Sequence, residues 1–368
     1  MPAGEARAAD SRDRAREIAL AHGWNSTSYQ ILNPGIRYWF SGVYSGVVGY
    51  VRRDHMLLAA GSPVCGEEAL PSVCSEFEAF AKAQGCGVCY VCAEERLRAA
   101  FGGASRYAAI ALGAQPVWNP HTWPAIIRHR SSLRAQLHRA INKGVEVETV
   151  AAQNAARDLE LRRVLREWLE GRRLPPLHFL VEPNVLDGEL AGRIVFVARR
   201  RGVPTAFLVA SPAPARNGYL VELLARSAMA PNGASELLID AAMRRFAGEG
   251  CEYATLGLVA LAHAADEEIL RNPGWLRMLM YFARAHANRF YSFRGLEHFR
   301  VKMAPDRWET IYAIANEPRF SVRSLYAMGG AFSGIAPWAG IARGVLRAAG
   351  DEFALVMRHL RTAGMPER

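Results

Sequence analysis

An α/β fold made of two similar units is what the sequence predicts, and three observations carry it. Two stretches, "SGVVGYVRRDHMLLAAGSPV" at 45–64 and "GRIVFVARRRGVPTAFLVASPA" at 192–213, alternate apolar and polar residues about a turn, as β-hairpins do. Each is followed by an alternation of helix-like and strand-like segments. The 368 residues, 51% of them hydrophobic, also supply apolar side chains for more than one sizeable core. The implied division is an N-terminal helix at 1–27, a first unit over 28–150, a second over 151–325 and a tail at 326–368.

In chain order, "SRDRAREIALAHG" (11–23) reads as a short helix with Ser11 as N-cap and Gly23 as its stop. The first hairpin turns at Arg53-Asp54 and ends at Gly61-Ser62-Pro63. An amphipathic helix in 67–85 stops at Gly85, and "GVCYVCA" (87–93) is a strand. A helix over 94–103 and a strand within 107–118 follow. "WPAIIRHRSSLRAQLHRAINKG" (123–144) closes the unit as one strongly basic helix. The second unit opens with a helix at 159–172, and its hairpin turns at Arg201-Gly202. A strand (217–226), a helix (233–250), a strand (251–261) and a helix (274–290) come next. The run 291–315 ends the unit.

Lys and Arg outnumber Asp and Glu by 45 to 35, a formal charge of +10, which draws polyanions such as nucleic acid or an acidic membrane surface. An Arg-rich, Ala-rich composition also arises from a GC-rich genome, so charge alone does not choose a partner. Cys86, Cys89 and Cys92 make a CxxCxxC, but no fourth ligand stands nearby at a metal-site spacing. The same run reads as a buried strand with cysteine as a small hydrophobe, so no metal is expected. Free thiols, and an N-terminal stretch unlike a secretory signal, imply a cytoplasmic protein. The uncharged "YAMGGAFSGIAPWAGIA" (326–342) is interrupted by Pro337 and glycines and followed by Arg343, Arg347 and Arg358. It suits a docking tail or a peripheral contact with the inner membrane face better than a span.

The strand at 217–226 meets the helix at 233–250 through Pro231-Asn232-Gly233. Unpaired N–H groups and the helix dipole make such a junction a place to hold an anion. Gly233 would let a ligand approach the backbone, Asn232 and Ser235 would cap or donate, and Arg226 would add charge. Pro-Asn-Gly also makes an ordinary tight turn, and this stretch by itself leaves both open.

Ordered matches extend the picture. An acidic-Leu-Leu run, "APNG", "SELLIDAA", "LGLVAL" and "FYSFRGLEHFRVKMAPDRWETIYAI" resemble the catalytic C-terminal domain of the phosphatidylglycerol lysyltransferases, the multiple peptide resistance factor family. In the first unit, "SGVVGYVRRDHMLLAAGSPV", "ALGAQPVWNP" and "SLRAQLHRAINKG" match the same family, and the resemblance spans about residues 28–328. It implies an α/β (α+β) tandem GNAT-like fold, each unit a mixed sheet flanked by helices. It also implies transfer of an aminoacyl group from aminoacyl-tRNA to a lipid hydroxyl such as that of phosphatidylglycerol, or to a small amine or hydroxyl acceptor. No cofactor is expected beyond the charged tRNA as co-substrate. Two departures bear on acceptor and amino acid. The family's Asp-Leu-Met-Arg run is Glu222-Leu223-Leu224-Ala225 here, with Arg226 one place later, and the family's multi-span membrane half has no counterpart in this sequence.

An activated ester needs a positioned nucleophile, a proton acceptor and a stabilised oxyanion. Glu222 is the first candidate to accept the proton or grip the α-amino group; the alternative is an exposed strand-end carboxylate. Arg294, Arg300 and Lys302 are candidates for the oxyanion or the tRNA acceptor end, with Tyr291 or Phe293 stacking on a terminal base. Alternatively, that aromatic run is core and the basic residues are solvated. His263 is a candidate acid or base, or a structural histidine. Leu133, Leu137 and Ile141 mark one face of the basic helix, leaving Arg128, Arg130, Arg134, Arg139 and Lys143 as a tRNA-backbone footprint or a solvated face. An acyl-coenzyme A N-acyltransferase and a non-catalytic polyanion-binding protein are the competing functions. Against the former, "RSAMAPNGA" displaces the glycine of the usual pyrophosphate loop and inserts a proline.

Overall fold

The computed structural model describes residues 3–172, 177–188, 190–286 and 293–333. Helix α1 (Ala3–His22) and a 3₁₀ turn at Ser28–Leu32 precede strands β1 (Arg37–Phe40), β2 (Val47–Arg53) and β3 (Met56–Ala60). Helix α2 (Leu70–Ala83), strand β4 (Gly87–Ala93), helix α3 (Glu95–Ala100) and strand β5 (Ala108–Trp118) follow. Helices α4 (Trp123–His129) and α5 (Ser131–Asn142) then lead to β6 (Val145–Val150), α6 (Ala152–Arg157) and α7 (Leu159–Glu170). Next are β7 (Ile194–Arg200), β8 (Val203–Ala213), β9 (Gly218–Arg226), α8 (Ala234–Gly248), β10 (Tyr253–Thr255) and β11 (Val259–Ala260). Last come α9 (Asp266–Leu270), α10 (Gly274–His286), α11 (Phe293–Lys302), β12 (Arg307–Ala315) and α12 (Val322–Ser333).

Among the described residues, twelve strands join one mixed sheet in the order β1-β2-β3-β4-β12-β5-β10-β9-β8-β7-β6, with β11 also on β5. Two pairs are parallel among the described residues, β3 with β4 and β9 with β10, and each brackets one helix, α2 and α8. These are the two similar GNAT-like units. Their junction is an exchange. Strand β12, late in the chain, lies between β4 and β5, and β5 pairs across to β10. The units therefore share a sheet whose central strands come from each other's segments.

Strand alternation places the core. In β3, Met56, Leu58 and Ala60 join the cluster under α1 and α12, while Leu57 and Ala59 join the cluster under α2. In β7, Val195 and Val197 pack under α7, and Phe196 and Ala198 under α8. A fully buried ring such as Phe77 contributes about 1.5–3 kcal/mol.

Several expectations shift. Helix α1 runs through Ser11 rather than starting at it. The first hairpin turns at Asp54-His55, both at positive φ, one residue later than expected. The basic helix is broken at Arg130, whose ψ of 89° ends α4. The Arg134 guanidinium donates to the Ile127 and Arg128 carbonyls freed by that break. On α5, Leu133, Leu137 and Ala140 are buried and Ile141 is 53% exposed, because a 3.6-residue turn drifts off an i, i+4, i+8 row. All six cysteines are free and buried; Cys89 and Cys92 lie on one face of the sheet and Cys86 on the other. Burial pushes the Cys92 thiol up to about 12 and the Cys65 thiol to about 11. No helix among the described residues is long and apolar enough to cross a membrane. Of the apolar tail, Ala327, Met328 and Ala331 on α12 are buried in the first unit's core, and 334–342 lie outside the described residues.

Candidate active site

The hinge after β9 is built by tertiary contact. Ser227 N–H donates to the Thr205 carbonyl at 2.8 Å, Pro231 is buried and Asn232 is exposed. Gly233 holds φ at 95°, and a Cβ there would lie 2.1 Å from the Gln136 carbonyl oxygen of α5. Its missing side chain thus admits α5, not a ligand. In the first turn of α8, Ser235 and Glu236 are buried, and Lys302 Nζ donates to Glu236 Oε1 at 2.9 Å. The helix N-terminus where an anion is favoured already faces a carboxylate of the chain itself.

Beside the hinge the parallel strands part. Strand β10 pairs with β9 only across Gly218–Leu220, whereas β9 continues to Arg226. A bulge sits where they separate: Val209 pairs with Leu223 and Ala210 with Val221, leaving Glu222 as the extra residue. Glu222 is therefore mid-strand rather than at the strand end. Its Oε1 accepts from Arg193 Nε at 2.5 Å, and its Oε2 from Gln30 Nε2 at 2.6 Å, with the arginine 2% and the glutamate 9% exposed. Gln30 Nε2 also reaches Ser211 Oγ at 2.8 Å, and Arg193 Nη2 reaches Asn33 Oδ1 at 3.2 Å. Gln30 Oε1 is buried with no hydrogen-bond partner. Gln30 and Arg193 were invisible as site residues in the sequence, because positions 30, 193 and 222 meet only through the fold.

Helix α11 laces the other side of the cleft. Arg300 donates to the Leu256 and Leu258 carbonyls, satisfying the segment where β10 stops. Glu297 Oε1 accepts from the His263 backbone N–H at 2.7 Å. His263 Nδ1 lies 3.1 Å from Asp266 Oδ2, and Arg284 bonds the other Asp266 oxygen at 2.8 Å. Burial works to raise the Asp266 pKa, but the bonds from Arg284 and His263 outweigh it and hold it below the usual carboxylate range. The His263 side chain is 63% exposed. Phe293 and Arg294 open α11, with side chains outside those described, and Tyr291 lies outside the described residues.

Arg128, Arg130, Arg139 and Lys143 are exposed on α4 and α5, while Arg134 is half-buried in its capping role. Because α5 rests on Gly233, this basic surface adjoins the hinge. Hinge, Lys302, Arg300 and basic helices are brought together, with Glu222 on the adjoining strand. Arg226 is exposed at the strand's end.

The family model described as phosphatidylglycerol lysyltransferase, C-terminal, matches residues 16–315. The chain belongs to that family. Among solved structures, it superposes on the C-terminal domain of a putative lysylphosphatidylglycerol synthetase from Agrobacterium fabrum with a TM-score of 0.71 and 21% identity, covering 89% of this chain and 98% of that one. It superposes on L-PGS from Bacillus licheniformis with a TM-score of 0.69 and 20% identity, covering 91% and 95%. A conserved protein of unknown function from Bacteroides thetaiotaomicron follows at 0.57 and 12%, covering 83% and 96%. No curated protein matches by sequence. As a member of the phosphatidylglycerol lysyltransferase family the protein is a transferase with a GNAT-like fold. Its departure from the Asp-Leu-Met-Arg run has a structural correlate: Ala225 is fully buried under α7, and Arg226 is exposed. The bulge at Glu222 precedes both, so it does not carry Arg226 onto the face of Ala225.

Proposed function

We propose that the protein moves an aminoacyl group from a charged tRNA to a lipid hydroxyl of the phosphatidylglycerol class. The observation that carries this is the close contact of Gly233 with Gln136, which seats a helix pair rich in exposed arginine against the hinge. A nucleic-acid backbone on that pair would bring its 3′ end to the cleft between β9 and β10. Glu236 in the first turn of α8 counts against a coenzyme A pyrophosphate at the hinge, since two like charges would share one helix terminus.

The ester is already activated, so positioning and proton transfer are the protein's work. The acceptor hydroxyl oxygen attacks the ester carbonyl carbon and its proton passes to His263 Nε2. The bond from that carbon to the ribose oxygen then breaks, and the ribose oxygen takes the proton back. Asp266 Oδ2, 3.1 Å from Nδ1 and nearer than Arg284 Nη1 at 3.4 Å, favours the tautomer protonated at Nδ1, in which Nε2 is the nitrogen that takes the proton. Arg193 and Gln30 fix the Glu222 carboxylate, which would grip the substrate α-ammonium.

The test supplies purified protein with tRNA charged with labelled amino acids, plus a total lipid extract in one tube and a cytosolic small-molecule extract in another. RNase-sensitive label in the chloroform layer is expected, and its identity names the amino acid. Label only in a soluble product would move the acceptor to a small amine or hydroxyl. No transfer in either tube would overturn the proposal. Replacing His263→Asn should lower kcat by about 10²–10⁴-fold with little change in KM.

A further inference from the structure

Helix α10 is apolar on two sides. The inner side holds it to the sheet. Leu276 is buried in the cluster under α1 and α12, and Met280 packs against that cluster and the one under α2. Asn272, just before the helix, bonds the Ala111 N–H and carbonyl of β5 at 2.9 and 3.0 Å. The outer side carries Trp275, Met278, Leu279 and Phe282, spaced i, i+3, i+4 and i+7 and so on one face. All four are exposed, Met278 by 75%, as are Tyr281 beside them and Leu270 on α9. Elsewhere among the described residues, exposed large apolar side chains are spread singly or in pairs along the chain. A gathered apolar face marks a surface that meets another apolar phase.

Charge decides which phase. From Ile269 to Leu296 the chain holds five arginines and no carboxylate, in a protein of net charge +10. Arg277 and Arg284, seven residues apart, follow one flank of the apolar face. On α9, Asp266 is paired with Arg284 and Glu268 with Arg271, leaving Glu267 as that helix's exposed carboxylate. Aromatic and long apolar residues outward, with arginine on the flank and no acid, suit a helix lying in the interface of an anionic bilayer. A second copy of the chain suits the face poorly, since a two-fold contact would set these arginines against themselves. The face is also continuous with the candidate site. Arg284 of this helix bonds the Leu261 carbonyl at 2.7 Å and lies 3.4 Å from His263 Nδ1. A membrane resting on α10 would therefore bring headgroups to the side of the cleft where His263 is exposed.

We propose that α10 is the element by which the protein rests on an anionic lipid surface. Trp275, Met278, Leu279 and Phe282 enter the boundary between headgroups and acyl chains, with Arg277 at the level of the lipid phosphates. The proposal rests on the reading of the acceptor as a lipid and deepens it: the hydroxyl reaches His263 from the membrane plane, and the acceptor's chains stay in the bilayer. It also moves the membrane contact from the 326–342 tail, part of which is buried core, to α10.

The test is flotation of the full chain with vesicles of phosphatidylcholine, alone or mixed with phosphatidylglycerol. Binding to the mixed vesicles is expected, and several-fold weaker binding to phosphatidylcholine alone. The Met278→Asp/Leu279→Asp variant, altered only at exposed positions, should weaken binding at least about tenfold without moving Tm, whereas Met278→Leu should bind as the parent does. Transfer to phosphatidylglycerol in vesicles should fall by a similar factor in the double variant. Transfer to a short-chain phosphatidylglycerol dissolved as monomers should be unchanged. Flotation reads the docking face by itself, so absence of transfer to either acceptor would overturn the aminoacyl-transfer reading and not this one. Absence of flotation by the parent chain, no preference for the anionic vesicles, or equal flotation by the double variant would each overturn the docking proposal. So would self-association of the parent chain that the double variant loses.

Discussion

The two strand–helix junctions share a topology and differ in what surrounds them. Each follows the second strand of a hairpin, feeds one helix and sits beside a parallel partner strand. In the first unit the junction is lined by carboxylates and left as a cavity; in the second, α5 packs onto Gly233 and exposed arginines gather alongside. The two units share the frame and differ in the side chains set around it. The shared sheet, with β12 placed in the first unit and β5 reaching the second, makes each junction partly the product of the other half.

The comparison is most directly broken at Glu222, where a residue of the first unit, Gln30, meets the second unit's bulge. Removing the carboxylate with Glu222→Ala leaves Arg193 buried without its main counter-charge, and should destabilise the fold by about 3–5 kcal/mol. Thermal and denaturant melts measure it. Pairing Glu222→Gln with Arg193→Met should recover much of that loss, because the apolar replacement no longer strands a charge. Equal stability of single and double variants would show that losing the carboxylate does not strand a buried charge on Arg193.

A smaller effect sharpens the contrast in packing. Both Gly233 and Gly85 have positive φ, but a Cβ at Gly85 meets nothing within 4 Å, whereas at Gly233 it meets the Gln136 carbonyl. Gly85→Ala should therefore cost about 1–2 kcal/mol, the left-handed penalty alone. Gly233→Ala should cost more and should also weaken tRNA binding, since α5 must move. If the two substitutions prove equally mild in denaturant melts, the hinge is looser than its geometry implies.

Much of the fold was legible from the chain. Strand β4 falls on the expected 87–93, the second hairpin turns at Arg201-Gly202, and α8 starts after Gly233, because hydrophobic period and turn residues act locally. Strand β6 escaped notice in the alternating "VEVETV" because it follows the basic helix directly and pairs only with β7, some fifty residues on. The exchange of β5 and β12 could not be read at all, since pairing between Ala108–Trp118 and Arg307–Ala315 leaves no local trace. The site was legible as places and not as roles. Glu222, Lys302 and Arg300 stand out in the sequence as candidates, but their partners Arg193, Glu236 and the Leu256 carbonyl are set by tertiary contact. Gly233 was singled out for a ligand when its close neighbour is a helix.

The smallest expected effect tests the electrostatic half of the contrast. Arg128, Arg130, Arg139 and Lys143 are exposed, so neutralising one should barely move Tm. If they hold a tRNA backbone, each removed charge should weaken binding uniformly across tRNA species and reduce the slope of log affinity against log salt by about 1. Arg134→Gln should behave differently. Its guanidinium is engaged with the Ile127 and Arg128 carbonyls, so it should lower stability with little change in the salt slope. Glu67→Gln, lining the first unit's acidic cavity, should leave the slope nearly unchanged. A slope that falls equally for Arg128, Arg134 and Glu67 would mean that tRNA senses the protein's overall charge. A fall confined to the exposed residues of α4 and α5 would place the donor on the second unit's junction and away from the first unit's acidic cavity.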